Sequence, residues 1–223
     1  MEPRNRLLDD FVLSLTRRKR PRVCFVATAS GDSKSYVARF YRAFSAPRAV
    51  PSHLPLFARD ADFRTVRRRL LDQDVIYVGG GNTANLLAVW GLHGIDRVIS
   101  EAWRRGVVLA GISAGMLCWF ESGLTDSLGP LAPLHDGLGL LRGSACPHYD
   151  GEPKRRPTYR RFVAKRRLPA GYAAEDGAAL HFVGTRLTEC VSSRPRARVF
   201  RVEREAGRVR ETPLPVRYLR DSR

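Results

Sequence analysis

The pentapeptide Gly111-Ile112-Ser113-Ala114-Gly115 follows directly on the apolar run Val107-Val108-Leu109-Ala110 and precedes Met116-Leu117-Cys118-Trp119-Phe120. A short run of β-branched and aliphatic residues predicts a buried strand, and the second apolar run predicts the opening of a buried helix. Two glycines flanking one serine between strand and helix form the G-x-S-x-G pattern of a nucleophile elbow. Such a turn is too tight for side chains on either side and lifts the serine hydroxyl out of the sheet. Developing negative charge is favoured there by unpaired backbone N–H groups. A serine at such a turn can also serve as a mere helix cap, so the chemical reading needs partners for Ser113 elsewhere in the chain.

The preceding segments supply the frame. Residues 5–16 place Leu7, Leu8, Phe11, Val12 and Leu15 on one helical face, and Val23–Ala27 reads as a buried strand. A polar turn over Thr28–Ser33 leads to a helix reaching Phe44, with Ser33 as its expected N-cap. A short strand is expected around Pro51–Phe57, then a helix opened by Asp60 or Asp62 and running through Leu71. Val75–Val78 predicts another buried strand, which runs into Gly79-Gly80-Gly81-Asn82-Thr83 and a helix bearing Leu86, Leu87, Val89 and Trp90; a further helix covers Ile95–Trp103. Alternating strands and helices predict an α/β fold with a mostly parallel sheet. The triple-glycine turn and the elbow then fall at the same carboxyl edge of that sheet, where the active crevice of such folds lies.

Consecutive glycines after a strand can present N–H groups to an anion. No G-K-[ST] follows them, and their spacing does not fit a dinucleotide fingerprint. No cofactor is therefore expected, and no metal either, because His, Cys and carboxylates never recur at ligand spacing.

Beyond the elbow the chain is less regular until Pro157, near the first turn of a helix that Arg155 and Arg156 open. From Gly171 it turns β-rich, with strands at Tyr172–Ala174, Ala178–Val183, Leu187–Ser192, Val199–Glu203 and Val209–Thr212. Gly177, Gly184 and Gly207 punctuate these as hairpins. At 223 residues and 43% hydrophobic content, one domain over 1–223 is the expectation.

The net charge of +17 raises the question of a nucleic-acid partner. The excess is nearly all arginine, is spread along the whole chain, and accompanies no DNA- or RNA-binding motif, so it reads as a solvated surface. The four cysteines are scattered, no C-x-x-C occurs, and no apolar run is long enough to span a membrane. A cytoplasmic protein without membrane or nucleic-acid partners is expected, and monomer and homodimer both stay open.

A serine nucleophile needs a base and a group to hold that base. Among the histidines, His53, His93, His135 and His181 read as structural. His148 ends an apolar stretch in a loop downstream of Ser113. Glu175 and Asp176, in a turn before Gly177, are the acid candidates, and Asp126 is a further acid after the elbow.

Taken together, G-I-S-A-G-M around Ser113, Y-V-G-G-G-N-T at Tyr77–Thr83, A-T-A-S-G-D-S at Ala27–Ser33 and E-D-G at Glu175–Gly177 resemble peptidase family S51. That family includes peptidase E (aspartyl dipeptidase) and cyanophycinase. The resemblance implies a three-layer α/β sandwich of the class I glutamine amidotransferase-like (flavodoxin-like) kind, with a β-rich C-terminal part. It implies a serine peptidase acting on short peptides, including those with N-terminal Asp, through an acyl-enzyme. Ser113 would be the nucleophile, His148 the base and Asp176 the third member, with Glu175 its competitor. Gly80 or Gly81 with Ala114 would form the oxyanion hole, and Arg156 and Asn82 would bind substrate. The alternatives are a cyanophycinase-like isopeptidase, an esterase, or a non-catalytic binding protein on the same scaffold. Family members usually begin with a strand and a glycine-rich turn ahead of the segment matching Met1–Leu15, so the resemblance implies either a start assigned at an internal methionine or a reduced sheet.

Overall fold

The computed structural model describes Met1, residues 5–58 and residues 62–220. The chain forms two compact units, Met1–Gly115 and Met116–Arg223.

In the first unit the strands β1 (Arg22–Val26), β2 (Val50–Leu54), β3 (Val75–Val78) and β4 (Val108–Gly111) make a wholly parallel sheet in the order β2-β1-β3-β4. Strand parity sends Val23, Phe25, Val75 and Tyr77 to one face. There they pack with Phe40 of α2 (Lys34–Ala43), with its C-cap Phe44, and with Val12 and Leu13 of α1 (Leu7–Ser14). Cys24, Val26, Ile76 and Val78 point the other way and are just as buried. That face is left to α3 (Phe63–Leu71), α4 (Thr83–His93) and α5 (Ile95–Arg104); α5 packs on both of the others. The doubly covered sheet explains why its inner strands read as continuous apolar runs.

Several local expectations meet a different outcome. β4 is the edge strand, so its residues are only half-buried although the run predicts a buried strand. Ser33 occupies the N-cap position of α2, but its hydroxyl bonds Ser35 Oγ at 3.1 Å and caps no backbone N–H. Asp62 does cap α3, accepting from the Arg64 N–H at 3.0 Å, while Asp60 lies outside the described residues. After the elbow the helix α6 (Ala114–Leu117) is one turn long, and Phe120, expected in a helix, opens the strand β5 (Phe120–Thr125) instead. Apolar runs this short do not distinguish helix from strand.

The second unit carries a six-stranded mixed sheet in the order β12-β11-β8-β7-β5-β6, built from β5, β6 (Ala132–Leu134), β7 (Leu141–Cys146), β8 (Gly171–Ala174), β11 (Val199–Glu205) and β12 (Arg208–Leu214). β9 (Ala178–Val183), β10 (Arg186–Ser192) and β13 (Val216–Tyr218) form a separate three-stranded sheet. The hairpins at Gly184 and Gly207 are present. Gly177 does not close one: β8 and β9 lie in different sheets, and the turn hands the chain from one to the other. The helix α7 (Arg155–Ala164) packs on β11 and β12, burying Tyr159, Phe162 and Val163 with Tyr149 and Phe200. The fold is α/β, with a parallel sheet and additional β-sheets. Among the described residues no helix is long and apolar enough to cross a membrane.

Candidate active site

In the first unit, β4 delivers the chain to the elbow. A Cβ on Gly111 would sit 2.0 Å from the Gly115 carbonyl oxygen, and one on Gly115 would sit 2.3 Å from the Val78 oxygen, so both positions are closed to other residues. The turn is tied by the Ile112 N–H to Val78 O (3.1 Å) and the Gly115 N–H to Ile112 O (2.9 Å). Ser113 between them has φ +56°, a left-handed conformation that costs an ordinary residue about 1–3 kcal/mol. Helix capping does not require that conformation, since N-cap residues are normally extended.

The glycine turn lies against the serine. A Cβ on Gly80 would fall 3.2 Å from Ser113 Cβ, and one on Gly81, which has φ +138°, would strike Ala29 O at 2.2 Å. The Gly79 N–H donates to Val26 O (3.1 Å), the Gly80 N–H to Tyr36 Oη (3.1 Å) and the Asn82 N–H to Ala29 O (2.7 Å). Among the described residues, the N–H groups of Gly81 and Ala114 donate to no protein acceptor. The N–H of Gly80, an expected oxyanion donor, is thus engaged by Tyr36 Oη. Asn82, an expected substrate contact, uses its side-chain oxygen to cap α4, accepting from the Asn85 N–H at 2.8 Å.

In the second unit, His148 follows β7 and Pro147 and also has a left-handed φ, +55°. Its Nδ1 lies 2.7 Å from Asp176 Oδ1. The two loops are sewn together: the Tyr149 N–H donates to Ala174 O (3.0 Å), and the Asp176 N–H donates to Asp150 Oδ1 (2.8 Å). Glu175 turns the opposite way. It is buried, accepts from the Arg198 backbone N–H (2.9 Å), and pairs with the Arg198 guanidinium at 2.9 and 3.1 Å. Of the two adjacent acids, the one that meets the histidine is Asp176.

Arg156 does not offer a free guanidinium. It pairs with Glu211 and lies over the rings of Tyr149 (5.4 Å) and Phe200 (5.1 Å), so the guanidinium expected to read substrate is already engaged within its own unit. Its neighbour Arg155, not singled out from the sequence, is buried. It bonds Glu152 (2.7 Å), Leu124 O (3.3 Å) and Asp126 (3.4 Å), which ties Asp126 into the scaffold. Successive helix residues point about 100° apart, and only a helical face count anchored on the core could have told Arg155 from Arg156.

Of the remaining histidines, His53 bonds Tyr41 Oη (2.9 Å), His93 stacks on Phe63 (3.8 Å) and His181 lies 3.4 Å from Glu189. All four cysteines are free and buried. Burial pushes the thiols of Cys24 and Cys190 up to about 11 and those of Cys118 and Cys146 up as well. None is a thiolate nucleophile near neutral pH. Among the described residues no cluster of His, Cys, Asp and Glu is placed to hold a metal ion.

The first unit carries the left-handed elbow serine, and the second carries the His–Asp pair. Comparison with known proteins identifies the family. The profile of peptidase family S51 matches residues 1–190. The uncharacterized peptidase YgaJ of Bacillus subtilis (strain 168) is 52% identical over 219 residues, covering 98% of this chain and 94% of that protein. Among solved structures, a peptidase from an acI-B1 Actinobacterium superposes with a TM-score of 0.71 at 21% identity, covering 94% of this chain and 89% of that one. A putative peptidase E protein from Listeria monocytogenes EGD-e gives a TM-score of 0.56 at 19% identity, covering 94% and 95%. These two share the fold. The chain belongs to peptidase family S51, and it is a peptidase.

Proposed function

We propose that the protein is a serine peptidase that cleaves short peptides through an acyl-enzyme on Ser113. The observation that carries this is the left-handed Ser113, held by two obligatory glycines beside N–H groups that no acceptor among the described residues uses. Strain of this kind persists where the surrounding structure enforces it, and it concentrates at reacting groups.

In the proposed reaction Ser113 Oγ attacks the scissile carbonyl carbon while its proton passes to Nε2 of His148. Asp176 accepts the Nδ1–H, fixing the tautomer and stabilising the imidazolium. The carbonyl oxygen becomes an oxyanion and takes hydrogen bonds from the N–H groups of Gly81 and Ala114. The C–N bond then breaks, and the leaving amine takes the proton from His148. Water, deprotonated by the same histidine, hydrolyses the ester and releases the carboxylic acid product. A preference for an acidic first residue is not part of this proposal, because the guanidinium that would read it is committed to Glu211. Free, buried cysteines suit a reducing compartment, and the proposal places the enzyme in the cytoplasm.

The test is hydrolysis of a dipeptide panel varied at the first residue, alongside β-aspartyl isopeptides and simple esters. Turnover of α-linked dipeptides supports the reading. Turnover confined to isopeptides or esters would reassign the enzyme, and none on any substrate, with Ser113 unreactive, would leave a binding protein on this scaffold.

A further inference from the structure

Tyr36 stands in the first turn of α2 and reaches the glycine turn, which lies more than forty residues further along the chain. Its ring is set edge-on against Phe25 (centroids 5.1 Å, 65°), and Phe25 in turn stacks on Phe40 of the same helix (4.9 Å, 10°). Arg39 lies over the ring at 5.1 Å. The phenol is therefore held by packing, and its oxygen is presented to one backbone group, the Gly80 N–H, at 3.1 Å. Burial raises the phenol's pKa, so it stays a neutral hydroxyl whose oxygen can accept.

The consequence lies in the peptide plane next door. The Tyr36 hydroxyl fixes the Gly79–Gly80 peptide, and Ala29 O fixes the Gly81–Asn82 peptide through the Asn82 N–H at 2.7 Å. The Gly80–Gly81 peptide between them is held at both ends, and it carries the Gly81 N–H, which no acceptor among the described residues takes. Three glycines in succession have wide conformational freedom, and without such anchors this peptide could rotate its N–H away.

We propose that Tyr36 is a positioning residue for the oxyanion site: by accepting the Gly80 N–H it orients the Gly80–Gly81 peptide so that the Gly81 N–H meets the developing oxyanion. This rests on the reading of Ser113 as the nucleophile. The role is transition-state specific, because the oxygen of a ground-state carbonyl lies elsewhere and carries less charge.

The test uses a fluorophosphonate probe on the full-length wild type and Tyr36→Phe, with the labelled residue located by peptide mass mapping. In labelling, the Ser113 Oγ–P bond forms, the P–F bond breaks, fluoride departs and the serine proton goes to His148. The phosphoryl oxygen takes the oxyanion position. The variant keeps the ring and its packing, so the melting temperature should stay within a few degrees. Hydrogen exchange at the Gly80 amide should accelerate. The plateau labelling rate should fall about 10- to 100-fold, while the pH midpoint of labelling stays where it is in the wild type. On a cleaved dipeptide the loss should appear in kcat, with KM changed less than about threefold. Wild-type protein labelled at Ser113 and Tyr36→Phe labelled equally fast would overturn the inference alone. A loss confined to KM, or a shifted pH midpoint with an unchanged plateau, would do the same. Wild-type protein with no label on Ser113 would overturn the nucleophile assignment and this inference with it.

Discussion

His148 Nδ1 stands 2.7 Å from Asp176 Oδ1, with the histidine in a left-handed conformation that keeps its ring turned toward that carboxylate. A carboxylate so placed favours the tautomer with the proton on Nδ1, the one in which the proposed reaction uses Nε2 as the base. Asp176→Asn should preserve the fold and lower turnover on the order of 10⁴-fold, since the amide can stabilise the wrong tautomer. Steady-state kinetics together with a thermal melt check this. A variant within tenfold of wild type would remove Asp176 from the reaction.

Glu175→Gln should behave in the opposite manner. Its carboxylate joins the β8–β9 turn to Arg198 through both the backbone and the side chain. Weakening that pair should cost about 1 kcal/mol of stability, because the arginine end remains solvated. Turnover per folded molecule should change little. Urea unfolding paired with active-site titration separates the two quantities.

Gly151 faces Asp176 closely: a Cβ at Gly151 would lie 2.5 Å from Asp176 Oδ2. Gly151→Ala should therefore push the carboxylate off His148 and reduce kcat by about 10- to 100-fold, as small misplacements of catalytic groups do. Unfolding should be nearly unaffected, since the loop is on the surface. A variant that melts much earlier but turns over normally would mean the glycine serves the loop and not the acid.

Arg156→Leu should lower stability by about 1 kcal/mol, through loss of the Glu211 pair and of the stacking on Tyr149 and Phe200, with Arg160 at 3.7 Å as a partial substitute. Substrates with acidic and neutral first residues should be affected alike. A selective loss on Asp-X dipeptides would restore the arginine as a substrate reader.

His53 gives the stability a dependence on pH. Burial pushes its pKa below the ordinary value, and Arg69 adds to this while Asp32 opposes it. The folded state thus favours the neutral ring, which accepts or donates at Tyr41 Oη. The contribution is present above the unfolded pKa of about 6.5 and is lost as pH falls from there through the folded value. Urea unfolding from pH 7.5 to 5 should show a downward slope that His53→Gln flattens.

The sequence and the structure agree most closely where burial is two-sided. Val75–Val78 is a strand between the same residues in both, because a run buried on both faces has little room for another reading. Agreement fades at β4 and after the elbow, where the strand is at an edge and the apolar run at Met116–Phe120 fits helix and strand equally. The elbow was legible because its glycines are forced by contacts within a few residues of each other and with the adjacent strand. The choice between Glu175 and Asp176 was not, since it is made by Arg198, distant in sequence, which draws one of two adjacent acids inward. Nor was the engagement of the Gly80 N–H, which depends on a tyrosine of α2, separated from the glycine turn by three further elements.

Whether Ser113 is the nucleophile is read from the mass of the protein after reaction with a fluorophosphonate, with peptide mapping of wild type, Ser113→Ala and His148→Ala. The account predicts one adduct per wild-type chain, located on Ser113, none on Ser113→Ala, and labelling slowed by about 10³-fold or more in His148→Ala. An adduct on any other residue, or Ser113→Ala hydrolysing dipeptides at the wild-type rate, would contradict it.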